Sequence, residues 1–148
     1  MIYYHYAELV HRQAEKYGSR TALKYRDNAT GKWLKISWKE FSEKVMLTAK
    51  AMAEFGIGVQ ENIGVYSQNM PQCFYTDFGA YANRVVSIPM YATNSPGQIE
   101  YIINDAHIHT LFVGEQLQYN NAFKVQKESQ YLKRLVCLLY TSPSPRDM

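Results

Sequence analysis

The sequence predicts an α/β fold built on a mostly parallel sheet, and three observations carry that reading. Short apolar runs alternate with helical patterns of ten residues or more along most of the chain. The apolar runs are apolar throughout rather than at every second residue, as strands covered on both faces require. Capping signals and single glycines then separate one element from the next.

The elements follow in order. Tyr6, Val10, Gln13 and Tyr17, with Leu9 and Ala14 beside them, form a mostly apolar stripe at helical spacing, and Gly18 stops that helix. Thr21 to Arg26 and Lys32 to Ser37 read as two strands of an N-terminal β-hairpin joined by the turn-rich Asp27-Asn28-Ala29-Thr30-Gly31. Ser37-Trp38-Lys39-Glu40 has the form in which Ser and Glu satisfy each other's free backbone donors, and it opens a second helix. Phe41, Val45, Thr48, Met52 and Phe55 mark the buried face of that helix, and Gly56 and Gly58 end it.

From residue 62 onward the pattern becomes strand, helix, strand. Asn62 to Ser67 is a β-rich run, and Pro71 begins a helix whose apolar face is Phe74, Phe78 and Tyr81. Val85-Val86-Ser87-Ile88 reads as a strand closed by Pro89. Ser95-Pro96-Gly97-Gln98 is a second reciprocal cap, followed by Ile99, Ile102, Ile103 and Ala106 on one face. Thr110 to Val113, closed by Gly114, makes the next strand; a helix over 116–128 and a strand over 134–138 complete the series. The domain is expected to span 1–139. Residues 140–148 lack periodicity, carry two prolines, and resemble translated sequencing-adapter tails, so they fall outside the fold.

Composition bounds the function. The 148 residues are 47% hydrophobic and 20% charged, within the globular range. The net charge is +3 and no Lys or Arg run exceeds two, so no clustered positive element marks a nucleic-acid face. Thirteen tyrosines are expected to fill half-buried positions with wet hydroxyls. Two distant cysteines, Cys73 and Cys137, fit a reducing, cytoplasmic setting. The start, Met1 to Tyr6, has no signal-peptide form, and no run approaches the ~20 apolar residues of a membrane span, which leaves peripheral membrane contact open.

No constellation of chemical groups stands out. His107 and His109 lie two apart at a helix-to-strand junction, and no Cys or carboxylate cluster completes a metal site; His5 and His11 sit on the first helix, off one stripe. The glycines occur singly at element ends, so none forms a phosphate cradle. Cys73 reads as a small helix-borne hydrophobe. Glu61, Asp77, Glu100 and Asp105 are scattered and form no acid–base pair. The expected catalytic, cofactor-binding and metal residues of this chain are therefore none, and a non-catalytic binding module is the competing class.

One ordered set of segments goes further. Phe55-Gly56-Ile57-Gly58, Asn62 to Ser67, the turn Gln68-Asn69-Met70-Pro71, Asp77-Phe78-Gly79-Ala80, Val85 to Tyr91, and Ser95 to Ala106 before Thr110 to Val113 together resemble the N-terminal region of the AMP-binding, adenylate-forming superfamily. Ala14 to Leu23 and the hairpin before Ser37 look most like bacterial long-chain fatty acyl-CoA synthetases. The resemblance implies a ligase that uses ATP and Mg²⁺ to turn a fatty acid into an acyl-adenylate, then transfers the acyl group to coenzyme A. It also implies that the phosphate loop, metal-binding Glu, ribose-binding Asp and mobile Lys lie beyond this segment; another adenylate-forming enzyme, acting on a different carboxylate, is the alternative within the superfamily. Tyr140-Thr141-Ser142 echoes the start of that loop, but Pro143 stands where Gly is needed.

Overall fold

The computed structural model describes residues 5–138, so the expectation for 140–148 lies outside the described residues. The chain divides into two compact units, one of Met1–Glu61 with Cys73–Val86 and one of Asn62–Gln72 with Ser87–Met148.

The first unit begins with a single 3-10 turn, Tyr6–Glu8, which runs into α1, Leu9–Tyr17. Gly18 ends α1 with a φ of 43°, a conformation that costs a residue without Cβ little. Strands β1, Thr21–Arg26, and β2, Trp33–Ser37, pair antiparallel as the expected hairpin. Asp27 holds its turn, accepting from the Thr30 hydroxyl at 2.6 Å and from the Ala29 and Thr30 amides.

Helix α2, Trp38–Glu54, starts with the anticipated reciprocal cap: Glu40 N donates to Ser37 Oγ at 3.1 Å, and Ser37 N donates to the Glu40 carboxylate at 2.9 Å. Its buried face is Phe41, Val45, Ala49 and Met52; Phe55, just past its end, is exposed. The correction arises because Gly56 reverses the chain at a φ of 79° before the stripe completes another turn.

Helix α3, Pro71–Ala82, contributes Phe78 to a core with Val10, Phe41 and Val45. Phe74, expected on the same buried face, is instead exposed, with its ring edge-on to Phe41 at 6.4 Å. Gly79 lets α3 approach α2 closely, since a Cβ there would lie 3.0 Å from Thr48 Cγ2 and 3.2 Å from Ala49 N. Asn83 Nδ2 donates to Ala49 O at 2.6 Å, closing the same contact with a hydrogen bond.

Clustered charge was not expected from the order of residues, and pairing corrects that. In the hairpin register Arg26 opposes Trp33 and Lys24 opposes Lys35, so these four share one face; all are exposed. Leu23, Ile36 and Tyr25 take the other face, where Leu23 and Ile36 pack on the core.

The second unit holds a four-stranded sheet in the order β4-β3-β5-β6, from Val86–Met90, Asn62–Tyr66, Thr110–Val113 and Arg134–Cys137. The pairs β3–β5 and β5–β6 are parallel, as continuous apolar strands predicted. Tyr66, Leu111 and Val113 pack with Ile99 and Ile103 of α4, Pro96–Asp105, and Ala122 and Val125 of α5, Gln116–Glu128. Ile63, Val65 and Phe112, on the opposite face, are buried as well. Strand β4 continues through Pro89 rather than stopping there. It lies at the sheet edge, where a residue without an N–H breaks no interior ladder.

Candidate functional site: the carboxyl ends of the parallel strands

In an open parallel sheet, ligands and catalytic loops gather beyond the carboxyl ends of the strands, because loops there are free of the ladder and helices begin there. In this chain those ends are Tyr66-Ser67 of β3, Val113-Gly114 of β5 and Cys137-Leu138 of β6. The ladder runs one residue past each strand: Gly114 N donates to Tyr66 O at 3.0 Å, and Leu138 N to Val113 O at 2.8 Å. Glycine at 114 is a packing requirement. A Cβ there would sit 2.2 Å from Ser67 Oγ, 2.7 Å from Gln68 Oε1 and 2.8 Å from Ser67 Cβ.

A polar lattice fixes the loop after β4 beside this crest. Tyr66, fully buried, donates its hydroxyl to Asn94 O at 2.5 Å and accepts from Asn121 Nδ2 at 3.1 Å. Gln118 Nε2 donates to Ala92 O at 3.1 Å, while Gln118 Oε1 accepts from Glu115 N at 3.0 Å. Burying these groups without partners would cost several kcal/mol, on the order of 1–3 each, so the lattice specifies one loop position. The wet-hydroxyl expectation fails at Tyr66 because the loop carbonyl replaces water. Sequence reasoning missed Tyr66, Gln118 and Asn121 as a group. They are separated by 52 residues or more from β3 to α5, and no local spacing announces their contact.

The groups whose ionisation the fold displaces are not poised for acid–base work. The Thr30 hydroxyl bond, opposed by desolvation and joined by the Ala29 and Thr30 amides, holds Asp27 below the usual carboxylate range. Desolvation, with Tyr25 and Glu40 nearby, pushes Tyr75 up to about 12. Tyr81 rises for the same first reason, with Asp77 and Tyr6 adding to it. Cys137 is exposed as a residue, yet its neighbours desolvate the sulfur enough to raise the thiol. Each shift leads away from neutrality, opposite to what general acid–base catalysis asks of a side chain.

The four histidines do not converge. His5 Nδ1 accepts from Ala7 N, and His11 lies 3.3 Å from Glu15 one turn on. His107 stacks on the Tyr131 ring at 4.4 Å, and His109 Nδ1 meets Tyr131 O at 2.8 Å. Glu100 and Asp105 line a shallow depression of about 390 Å³ on α4 with Gly97, Tyr101 and Asn104. Among the described residues no three His, Cys, Asp or Glu side chains could jointly hold a metal. No helix among them is long and apolar enough to cross a membrane.

A four-stranded sheet with parallel β3–β5 and β5–β6 pairs, packed against α4 and α5, defines an α/β fold. The comparisons give that class its family. The model of the AMP-binding enzyme family matches residues 10–147, and the chain belongs to that family, the adenylate-forming superfamily. It is 25% identical over 141 residues to the long-chain-fatty-acid–CoA ligase ACSBG1 of Rattus norvegicus, covering 95% of this chain and 19% of that protein. It is 32% identical over 80 residues to long-chain-fatty-acid–CoA ligase 6 of the same species, covering 53% and 12%.

Among solved structures, the anthranilate–CoA ligase AuaEII matches with a TM-score of 0.82 at 18% identity, over 93% of this chain and 25% of that one. A long-chain-fatty-acid–CoA ligase, FadD1 of Archaeoglobus fulgidus, matches at 0.75 with 22% identity, over 92% and 28%. These likenesses establish the α/β fold of the N-terminal domain of CoA ligases. The chain spans about a fifth of the length of the first curated relatives it matches.

Proposed function

We propose that this chain is the N-terminal region of a fatty acid–CoA ligase, an ATP-dependent enzyme that makes an acyl-adenylate and then an acyl-CoA. The supporting observation is the family match along 10–147, joined to relatives whose names are those of long-chain-fatty-acid–CoA ligases. In the full-length enzyme the partners are a fatty acid, ATP with Mg²⁺, and coenzyme A, in the cytoplasm.

The chemistry requires leaving-group activation. A carboxylate resists thiol attack until one oxygen is masked as a mixed anhydride, and charge on the phosphates must be neutralised as that anhydride forms. Among the described residues no three His, Cys, Asp or Glu side chains come together, and several glycines serve turns or close packing. In this reading adenylation falls to the family's downstream motifs rather than to these residues. Their contribution is scaffold: β3, β5 and β6 hold a fixed crest from which the following chain, carrying the phosphate loop, departs.

The test is ATP–pyrophosphate exchange with a long-chain acid and Mg²⁺. The reading predicts exchange by a protein in which this segment continues into its downstream reading frame, and none by the 148-residue chain alone. Absence of exchange in the extended protein removes the ligase assignment. Exchange by the short chain overturns the scaffold role.

A further inference from the structure

The charge of this chain is concentrated in one segment. Between Lys16 and Lys39 lie seven of the sixteen Lys and Arg residues and one of the thirteen Asp and Glu residues; the remaining nine cations and twelve carboxylates leave −3 for the rest. A net charge of +3 therefore conceals a local +6. The β1–β2 hairpin lies inside this segment, and pairing gathers its cations. Lys24, Arg26 and Lys35 stand with Trp33 on the outer face, and Lys32 flanks them at the turn.

The single carboxylate in the segment, Asp27, is engaged by Thr30 and two backbone amides. Trp33 is 69% exposed. An indole costs free energy in bulk water, and this one is largely uncovered among the described residues. The hairpin packs through its opposite face, where Leu23 and Ile36 join the core.

We infer that the outer face of this hairpin docks on an anionic lipid surface. Charge complementarity selects the partner: lysine and arginine are attracted to acidic headgroups, and tryptophan prefers the depth of those headgroups, with its ring in the apolar boundary and its N–H in the polar layer. The ribbon presents its cations on one face of a two-stranded ladder, which suits a plane. Single-stranded nucleic acid would instead call for a groove with several stacking platforms, and one indole serves this face. The inference concerns the hairpin alone and stands whether or not the ligase reading holds.

The test uses the 148-residue chain with phosphatidylcholine vesicles, made with and without phosphatidylserine. Co-sedimentation is expected only with phosphatidylserine and is expected to weaken as salt rises. Removing two cations, K24Q/K35Q, is expected to weaken binding by roughly twenty-five-fold, about fivefold for each charge. K44Q/K50Q, which removes the same charge from exposed positions of α2, should leave binding near wild type. In a W38F background, Trp33 emission should shift to the blue on vesicle addition and be quenched by brominated lipid.

All four substituted lysines are exposed, so circular dichroism should show unchanged secondary structure. Equal loss in both lysine pairs would overturn the face-specific reading. No binding to phosphatidylserine vesicles would overturn it too, as would Trp33 emission that responds to a single-stranded oligonucleotide and not to lipid.

Discussion

Gly114→Ala probes whether the crest of β3 and β5 is as tightly packed as its geometry states. The glycine backbone is not in the left-handed region, so alanine is conformationally allowed, and the loss of unfolded-state freedom alone would stabilise by about 0.4–1 kcal/mol. The opposing effect is steric. The new methyl would meet Ser67 Oγ at 2.2 Å and Ser67 Cβ at 2.8 Å. The hydroxyl can rotate away, but Cβ is rooted in the backbone of β3's end, so the two strand ends must part.

Overpacking of this kind costs about 1–3 kcal/mol, which leaves a net loss on the order of 1–2 kcal/mol. With a urea dependence of about 1–3 kcal/mol per molar, the midpoint should fall by roughly 0.5–1 M. The assay is urea unfolding followed by circular dichroism, with Gly58→Ala as control, since nothing lies within 4 Å of a Cβ there. Gly58→Ala should match or exceed wild type. Adding Ser67→Ala to Gly114→Ala should cost less than Ser67→Ala alone, because it relieves the Oγ contact. A Gly114→Ala midpoint at or above wild type, or simple additivity with Ser67→Ala, would refute the reasoning.

Three further outcomes are expected. Tyr75 should ionise near 12 rather than 10, and Tyr75→Phe should remove that late phase of a spectrophotometric titration. Because the folded value is raised, its contribution to stability is present below about 10 and lost as pH rises toward 12; stability that grew over this window would contradict the burial of Tyr75. Ser95→Ala removes the hydroxyl that accepts from Gln98 N at 3.3 Å and should cost about 1 kcal/mol in thermal or urea unfolding, with an unchanged midpoint arguing against the cap. Ile103→Ala empties a fully buried site between α4 and the sheet and should cost about 2–5 kcal/mol; a loss under 1 kcal/mol would mean that site is not close-packed.

Much of the fold is legible in the sequence because its signals are local. Ser37 with Glu40 and Ser95 with Gln98 each satisfy backbone donors within one turn, so the spacing alone marks where α2 and α4 begin. The turn from Asp27 to Gly31 closes on itself through Asp27, so the hairpin was equally plain. Continuous apolar runs at Ile63 to Tyr66 and Thr110 to Val113 indicated strands covered on both faces, and the sheet is parallel there.

The candidate site was far less legible. The resemblance gave the family, but its segments say nothing of how Tyr66, Gln118 and Asn121 meet around Ala92 and Asn94. Phe74 and Pro89 were misread because helical spacing cannot tell a covered face from an open one, and composition cannot tell an edge strand from a strand's end.

By itself, then, the sequence determined what depends on near neighbours: the caps, the turns, the element types and the family resemblance they spell out in order. Only the tertiary structure decided what depends on partners distant along the chain. It set the strand order β4-β3-β5-β6, the glycine demanded at 114 by Ser67, and the face on which Lys24, Arg26, Trp33 and Lys35 meet. The physical reason is range. Backbone hydrogen bonding within a turn is fixed over three or four residues, whereas packing and charge act through space and take whatever the register brings together.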